Sequence, residues 1–285
     1  MLALPLLFYR VLFKKWANRH EQKFLDFVDS RQKDKGSVLF VPESPRRNAA
    51  LRNALAYMGF DTTPAKGETP VIMVAWEDET YKQEVSTDVK AINGRCTDIS
   101  KSFVDKIHRK VFGYGIEANP GSQGERILEK SDINGAHQAR IVTTPVVTKE
   151  GFMYQKLIDT RKGLLYEDIR PVVVGDRIPF CYLNYRVEGK RFSAKKIKAR
   201  LVETSKVLNT QEQEGVVSIC RQMGVEVAEV DCLRDRHDGK LYVVDINPTA
   251  YGPANGLSFN QKLKAIKMYE AALTPFLRDN YGISV

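Results

Sequence analysis

Val230-Asp231-Cys232-Leu233, followed by Leu241-Tyr242-Val243-Val244-Asp245-Ile246-Asn247-Pro248, is the stretch on which the reading of this chain turns. Both halves are apolar runs of strand length. Asp235-Arg236-His237-Asp238-Gly239 between them carries turn residues, so the whole reads as a hairpin of strands over 225–233 and 240–246. Side chains alternate across a strand, so Asp245 and Asn247, two positions apart, share a face. Asp231 on the preceding strand can meet them across the ladder. Carboxylates and an amide oxygen, with no His or Cys among them, make a hard-oxygen site of the kind that suits Mg²⁺. The plain alternative is that Asp245 and Asn247 only initiate the turn at Pro248. On these residues alone both readings stand.

Upstream of the hairpin the chain is strand-rich. Segments 126–130, 140–142, 152–156, 171–174 and 178–182 read as strands, with Gly175-Asp176 as a second hairpin turn. Helical spacing covers 211–223 and 259–276. Hairpins in place of regular βα repeats make this region antiparallel α+β. Further upstream the texture differs. A short strand at 37–41, a helix over 46–58 capped by Gly59, and a strand at 70–76 suggest a small parallel α/β unit. A further helix is predicted over 96–114, with Asp98 and Ser100 near its start. No GxxxxGK[ST] loop or complete dinucleotide fingerprint is present.

The chain has 285 residues, with 44 Lys+Arg against 35 Asp+Glu, a net charge of +9 and a pI near 9.2. That excess favours anionic partners without choosing among them. Hydrophobic residues at 43% and charged residues at 28% exclude a mainly disordered chain. The cysteines at 96, 181, 220 and 232 form no CxxC pair, which argues against a zinc ribbon or a disulfide framework. Cys181 and Cys232 read as buried small hydrophobes, Trp16 and Trp76 as packing residues. His20, His108, His137 and His237 show no ligand spacing, and only His137 stands where it could serve the site.

Taken together, the pattern resembles the ATP-grasp superfamily. Asp231, Asp245 and Asn247 match its closing motif, with Asp at 245 where Glu is more usual, and 248–256 (PTAYGPANG) matches the Pro/Gly-rich loop. Lys130, ending ILEK, and Lys101 on the earlier helix match its phosphate lysines. Residues 132–136 (DINGA) match the small-residue loop over the phosphates, and Gln155, Lys156, Leu157 and Ile158 the hinge that holds adenine. Glu167-Asp168-Ile169-Arg170, then Gly175, Arg186 and Arg191-Phe192-Ser193, look like the arginine series of the glutathione synthetase and ribosomal-protein glutamate ligase branch. The resemblance covers roughly 95–265.

The resemblance implies an α+β chain with an ATP-grasp fold, two lobes around a nucleotide cleft, over 96–285. A small α/β pre-ATP-grasp domain would span 36–95, and an apolar and basic helical segment 1–35. It implies ATP with Mg²⁺ (or Mn²⁺) on Asp231, Asp245 and Asn247. Arg170, Arg186 and Asp168 would act at the reacting phosphoryl. Lys101, Lys130, the hinge residues and Glu167 would hold the nucleotide, and Arg191 and Lys195 the substrate. The expected reaction is carboxylate–amine ligation through an acyl-phosphate on an anionic or membrane- or glycan-associated substrate. A phosphotransferase acting on a sugar, glycan or small metabolite is the alternative, and a scaffold without chemistry the third reading. The branch carries Asn and a Gly-Gly pair after the last arginine. Here Ser193-Ala194-Lys195-Lys196-Ile197-Lys198-Ala199-Arg200 takes that place, read either as a solvated helix face or as a wall for an anionic substrate. A nucleic-acid surface ranks low, since only Phe192 interleaves the lysines.

The N-terminus is apolar from Met1 to Phe13, apart from Arg10, with Lys14, Lys15, Trp16 and Arg19 after it. A secretory signal places its charge before the apolar run, so a cleaved signal is not expected. Neither is an Asn-x-Ser/Thr site present. The expected location is cytoplasmic. Two readings of residues 1–20 stay open: a helix packed on the body or in a dimer contact, or a helix at the inner membrane face. Residues 21–35 read as a solvated helix and linker.

Overall fold

The computed structural model describes residues 3–85, 90–136, 138–190 and 197–283. Helix α1 (Ala3–Asp29) opens the chain. Its second half buries Ala17, Phe24, Leu25 and Val28, which fall on one face at helical spacing. The segment read as solvated therefore carries a core stripe, and its charged residues occupy only the outward face.

Strand β1 (Val38–Pro42), helix α2 (Ala50–Met58) and strands β2 (Ile72–Trp76) and β3 (Ala91–Ile92) form a parallel sheet in the order β1-β2-β3. Helix α2 starts later than its spacing predicts. The Ala50 N–H donates to the carbonyl of Ala250 at 2.8 Å, which fixes the first turn from outside. Gly59 ends the helix in the left-handed conformation, φ 101°. Helix α3 (Lys101–Phe112) also starts later than 96, because Ser100 caps it by accepting from the Phe103 N–H at 3.3 Å.

Strands β4 (Arg126–Ser131), β5 (Ala139–Thr143) and β6 (Phe152–Lys156) make an antiparallel sheet ordered β5-β4-β6. The largest sheet contains β7 (Arg161–Lys162), β8 (Leu165–Val174), β9 (Arg177–Arg186), β10 (Lys198–Val202), β11 (Val227–Arg234) and β12 (Leu241–Asn247). Its order is β10-β9-β8-β11-β12, with β7 on β8. Helix α4 (Thr210–Gln222) precedes β11. Helix α5 (Phe259–Tyr281) closes the chain, running through Pro275 to a left-handed Gly282 rather than stopping at 276. The end of the basic run, expected on a helix face or a substrate wall, is edge strand β10 paired with β9. Arg191 and Lys195, like His137, lie outside the described residues.

Each face of the largest sheet has its own core. On one, Ile169, Val173, Leu183, Val230 and Val243 pack with Ile107 of α3 and Val216 and Ile219 of α4. On the other, Val172, Val174, Phe180, Tyr182 and Val227 join α1, α2, α5 and the parallel sheet in one cluster. Hydrophobic packing is thus continuous across residue 95, and α5 returns to pack on α1 and α2 as well as on β8 and β9. Along that second face the same alternation runs on into polar residues: Asp168 and Arg170 on β8, Asn184 and Arg186 on β9, Glu229 and Asp231 on β11. The core gives way there to a charged cluster.

Candidate active site

In the β11–β12 ladder Asp231 stands directly opposite Asp245, and Glu229 opposite Asn247. A register shift follows Asp231. From β8, Arg170 reaches across with Nε to Asp231 Oδ1 at 2.5 Å and Nη2 to Oδ2 at 2.7 Å, a bidentate pair. Its Nη1 donates to Glu229 Oε2 at 3.3 Å. Burial works against the guanidinium's charge, but Asp231 and Glu229 outweigh it and hold its pKa above the usual value. Beside it Arg186 pairs with Asp168. Burial pulls the Arg186 pKa down, and Asp231 opposes that shift.

Opposite this cluster lie the two lysines. Lys101 is the first residue of α3, buried, with Nζ donating to the carbonyl of Ile133 at 2.9 Å. Burial lowers its pKa, Asp245 pulls it back up, and Lys130 pushes it down. Asp245 answers them. Burial raises its carboxyl pKa, Lys130 and Lys101 lower it, and the facing Asp231 raises it again. Its Oδ1 is buried and has no hydrogen-bond partner among the described residues. The four groups therefore share one electrostatic environment.

Loop 132–136 is held over this place. Asp132 accepts from the Ser102 N–H at 2.8 Å and the Ser102 hydroxyl at 2.7 Å, which ties the loop to the start of α3. The Asn134 N–H donates to Thr80 Oγ1 at 2.8 Å. On the other side, Thr249 donates its N–H and hydroxyl to Asn247 Oδ1 at 3.0 and 3.2 Å. The same hydroxyl lies 3.1 Å from Asp78 Oδ1. Asp78 and Thr80 follow the carboxyl end of β2, where crevices form in open α/β sheets. An adjoining groove of about 580 Å³ lies on the α3 side of β6, lined by Ser102, Asp105, Arg109, Asp132, Met153 and Tyr154 among others. Lys101, Lys130, Asp231 and Asp245 do not line it.

Residues 80–265 match the RimK-like ATP-grasp domain family. The chain belongs to that family. Its members are ATP-dependent ligases, and ATP-grasp enzymes use ATP with Mg²⁺. The match begins at residue 80 and so takes in Thr80 and the chain leading to α3, ahead of the stretch the sequence resemblance covers. No curated protein sequence matches the chain. Among solved structures, a D-alanine–D-alanine ligase from Bacillus anthracis aligns over 86% of this chain and 97% of its own, at 14% identity and a TM-score of 0.49. The ATP-grasp ligase PsnB with precursor peptide PsnA2 and AMPPNP aligns over 84% and 98%, at 13% identity and 0.49. Against PsnB with a minimal precursor the chain spans 64% of that protein's length and 63% of its own, at 15% identity and 0.44. The family match alone carries the assignment.

Within this ATP-grasp domain the expected site residues do not all converge. Lys101, Lys130, Arg170, Arg186, Asp168, Asp231, Asp245 and Asn247 come together as described. The hinge residues lie apart from that cluster. Gln155 is buried with its amide on Met153 Sδ at 3.1 Å. The Lys156 N–H is taken by the carbonyl of Ile116 at 2.6 Å, and the Ile158 N–H by that of Lys156 at 3.1 Å. The Lys156 ammonium turns to the hairpin, 2.7 Å from Asp235 and 2.8 Å from Asp238. Burial disfavours its charge, but those carboxylates and Tyr242 hold its pKa above the ordinary range. Leu157 is half-buried, and Ile158 packs with Ile116, Met153, Tyr242 and Val244. Glu167 lies opposite Tyr185 on β9 and pairs with Lys162.

The donor set fits Mg²⁺ in kind: an unpartnered, buried carboxylate oxygen on Asp245 beside a second carboxylate and an amide oxygen. The fit is partial in number. Asp231 is engaged by Arg170 and Asn247 by Thr249, and no group of three or more His, Cys, Asp or Glu among the described residues is arranged to hold a metal. Mg²⁺ commonly takes one or two carboxylates and completes its shell with waters and phosphate oxygens. Glu229, Asp78 and Thr80 join this place only in the fold. Glu229 was findable, since it lies two positions before Asp231 on a strand and so shares its face. Asp78 and Thr80 carried no local signal.

Proposed function

We propose that the chain is an ATP- and Mg²⁺-dependent carboxylate–amine ligase acting through an acyl-phosphate on an anionic substrate. The observation that carries this reading is the facing pair Asp231 and Asp245, flanked by Lys101, Lys130 and Arg170. Basic and acidic side chains there are closely matched, so a triphosphate brings excess negative charge that an added divalent cation offsets. Asp245 and Asn247, with Asp231, would hold Mg²⁺, which neutralises charge on the transferring phosphoryl.

The chain's own part is positioning and charge neutralisation. Lys101 and Lys130 bind phosphate oxygens under loop 132–136. Arg170 and Arg186 orient the acceptor carboxylate and the γ-phosphoryl, each held by a carboxylate that fixes its plane. The carboxylate oxygen attacks the γ-phosphorus and ADP leaves. The amine nitrogen then attacks the acyl carbon, phosphate leaves, and a proton passes from the nitrogen to solvent. A phosphotransferase acting on a hydroxyl needs a free base. Asp168 and Asp231, the two candidates, are both bound by arginine, which favours the ligase.

Product analysis tests the reading. A ligase releases ADP and phosphate only when carboxylate and amine are both present, and hydroxylamine captures its intermediate as a hydroxamate. A stable phosphorylated product formed without amine would replace this reading with the kinase.

A further inference from the structure

Helix α1 runs unbroken from Ala3 to Asp29, about 40 Å at 1.5 Å per residue. Its second half is rooted in the body, through buried Ala17, Phe24, Leu25 and Val28. Ahead of that root the sequence is Ala3-Leu4-Pro5-Leu6-Leu7-Phe8-Tyr9-Arg10-Val11-Leu12-Phe13-Lys14-Lys15-Trp16. Leu12 is 49% and Trp16 39% exposed, and Lys14, Lys15 and Arg19 are exposed. Water is a poor environment for exposed Leu12 and Trp16.

We propose that this half of α1 docks the protein on an anionic lipid bilayer. The apolar stretch 3–13 is about 16 Å long against a hydrocarbon core of about 30 Å. No helix among the described residues is long and apolar enough to cross a membrane. The segment instead lies in the boundary between headgroups and acyl chains, with Lys14, Lys15 and Arg19 on lipid phosphates and Trp16 at the interface. Charge selects the occupant. The first acidic residue of the chain is Glu21, so two copies meeting through residues 1–20 would set cations only against cations.

The root of the helix is tied to the start of α5, next to loop 248–256. His20 Nδ1 accepts from the Phe259 N–H at 3.2 Å. Three residues on, buried Lys262 donates to the carbonyls of Pro253 and Ala254 at 2.9 and 3.2 Å. A groove of about 420 Å³ between Asn18, Glu21 and Gln22 of α1 and Arg46–Asn48 opens beside that loop, where the carbonyl of Asn48 accepts from the Gly252 N–H at 3.0 Å. Docking would bring this side of the site to the bilayer.

The test is co-sedimentation of the full chain with phosphatidylcholine vesicles, with and without phosphatidylglycerol. Binding is expected only to the anionic vesicles, weakening as salt rises. Leu12→Asp and the double change Lys14→Glu/Lys15→Glu should each weaken it by about tenfold or more. Tryptophan emission should shift to the blue on binding. Trp76 is already 4% exposed, so the shift reports Trp16. Calorimetry of MgATP on Leu12→Asp should match the parent. Folded protein that stays in the supernatant with anionic vesicles overturns the proposal, as does a dimer that Leu12→Asp dissociates without vesicle binding. Vesicle binding in a protein that takes up no MgATP would sink the ligase reading and leave the docking standing.

Discussion

Asp245 faces Asp231 across the β11–β12 ladder, yet the two carboxylates live differently. Arg170 grips both oxygens of Asp231, while Asp245 keeps a buried Oδ1 with no hydrogen bond among the described residues. Burying a carboxylate that way is unfavourable for folding. A residue kept at such a cost is a candidate for binding a cation the fold itself does not supply.

Asp245→Asn should therefore separate activity from stability. ATP turnover is expected to fall about a hundred-fold or more, the loss typical of removing one preorganised charge. The melting temperature should hold or rise, because a neutral amide is cheaper to bury. Parallel turnover assays and thermal melts check this. A large drop in melting temperature would make Asp245 structural.

Lys130→Ala should cost a comparable factor in turnover. It removes a cation that lowers the Asp245 pKa, so the pH dependence of MgATP affinity should move to higher pH. An unchanged pH profile would separate the two residues.

Arg170→Met should unfold the protein more easily, by about 3–5 kcal/mol, since Asp231 and buried Glu229 would lose their cation. Urea titration measures it. A loss under about 1 kcal/mol would mean the cluster relaxes into water.

Asn93 clips the first sheet to the largest one. It adopts φ 61°, accepts from the N–H groups of Glu226 and Val227 at 2.7 and 2.9 Å, and donates to the Val227 carbonyl at 2.8 Å. Asn93→Ala should destabilise by about 2–4 kcal/mol, leaving those groups unpaired and placing at a left-handed position a residue that adopts it less readily than Asn. A shift in denaturation midpoint of the whole chain is expected. Little or no shift would show that water replaces those bonds.

His108 is fully buried, stacked on Phe112 and Tyr242, with neither ring nitrogen hydrogen-bonded among the described residues. Burial lowers its pKa to about 4. Below the unfolded value near 6.5 the unfolded chain takes a proton the folded one refuses. Stability should accordingly be full above pH 6.5 and decline toward pH 4, by about 3 kcal/mol from this group. His108→Phe should flatten that decline in urea midpoints taken across the range.

The local chemistry of the hairpin was readable in one dimension. The alternation in VVDIN put Asp245 and Asn247 on one face, because a strand's period of two is local. Gly59 and Ser100 likewise marked helix ends through their own conformations and side chains. Setting Asp231 opposite Asp245 took the register shift beside it, since the register running out from the turn would have placed Asp231 against Val244. Other features depended on partners far along the chain. Helix α2 begins where Ala250 supplies an acceptor, two hundred residues away. The stripe of Phe24, Leu25 and Val28 lies hidden in a charged segment until α2 and α5 are packed against it. Lys156 reads as a hinge residue in sequence, and only the fold sets its ammonium between Asp235 and Asp238. Which carboxylate Arg170 would claim was likewise open in sequence, since side chains of this length choose among neighbours that only the assembled sheet brings within reach.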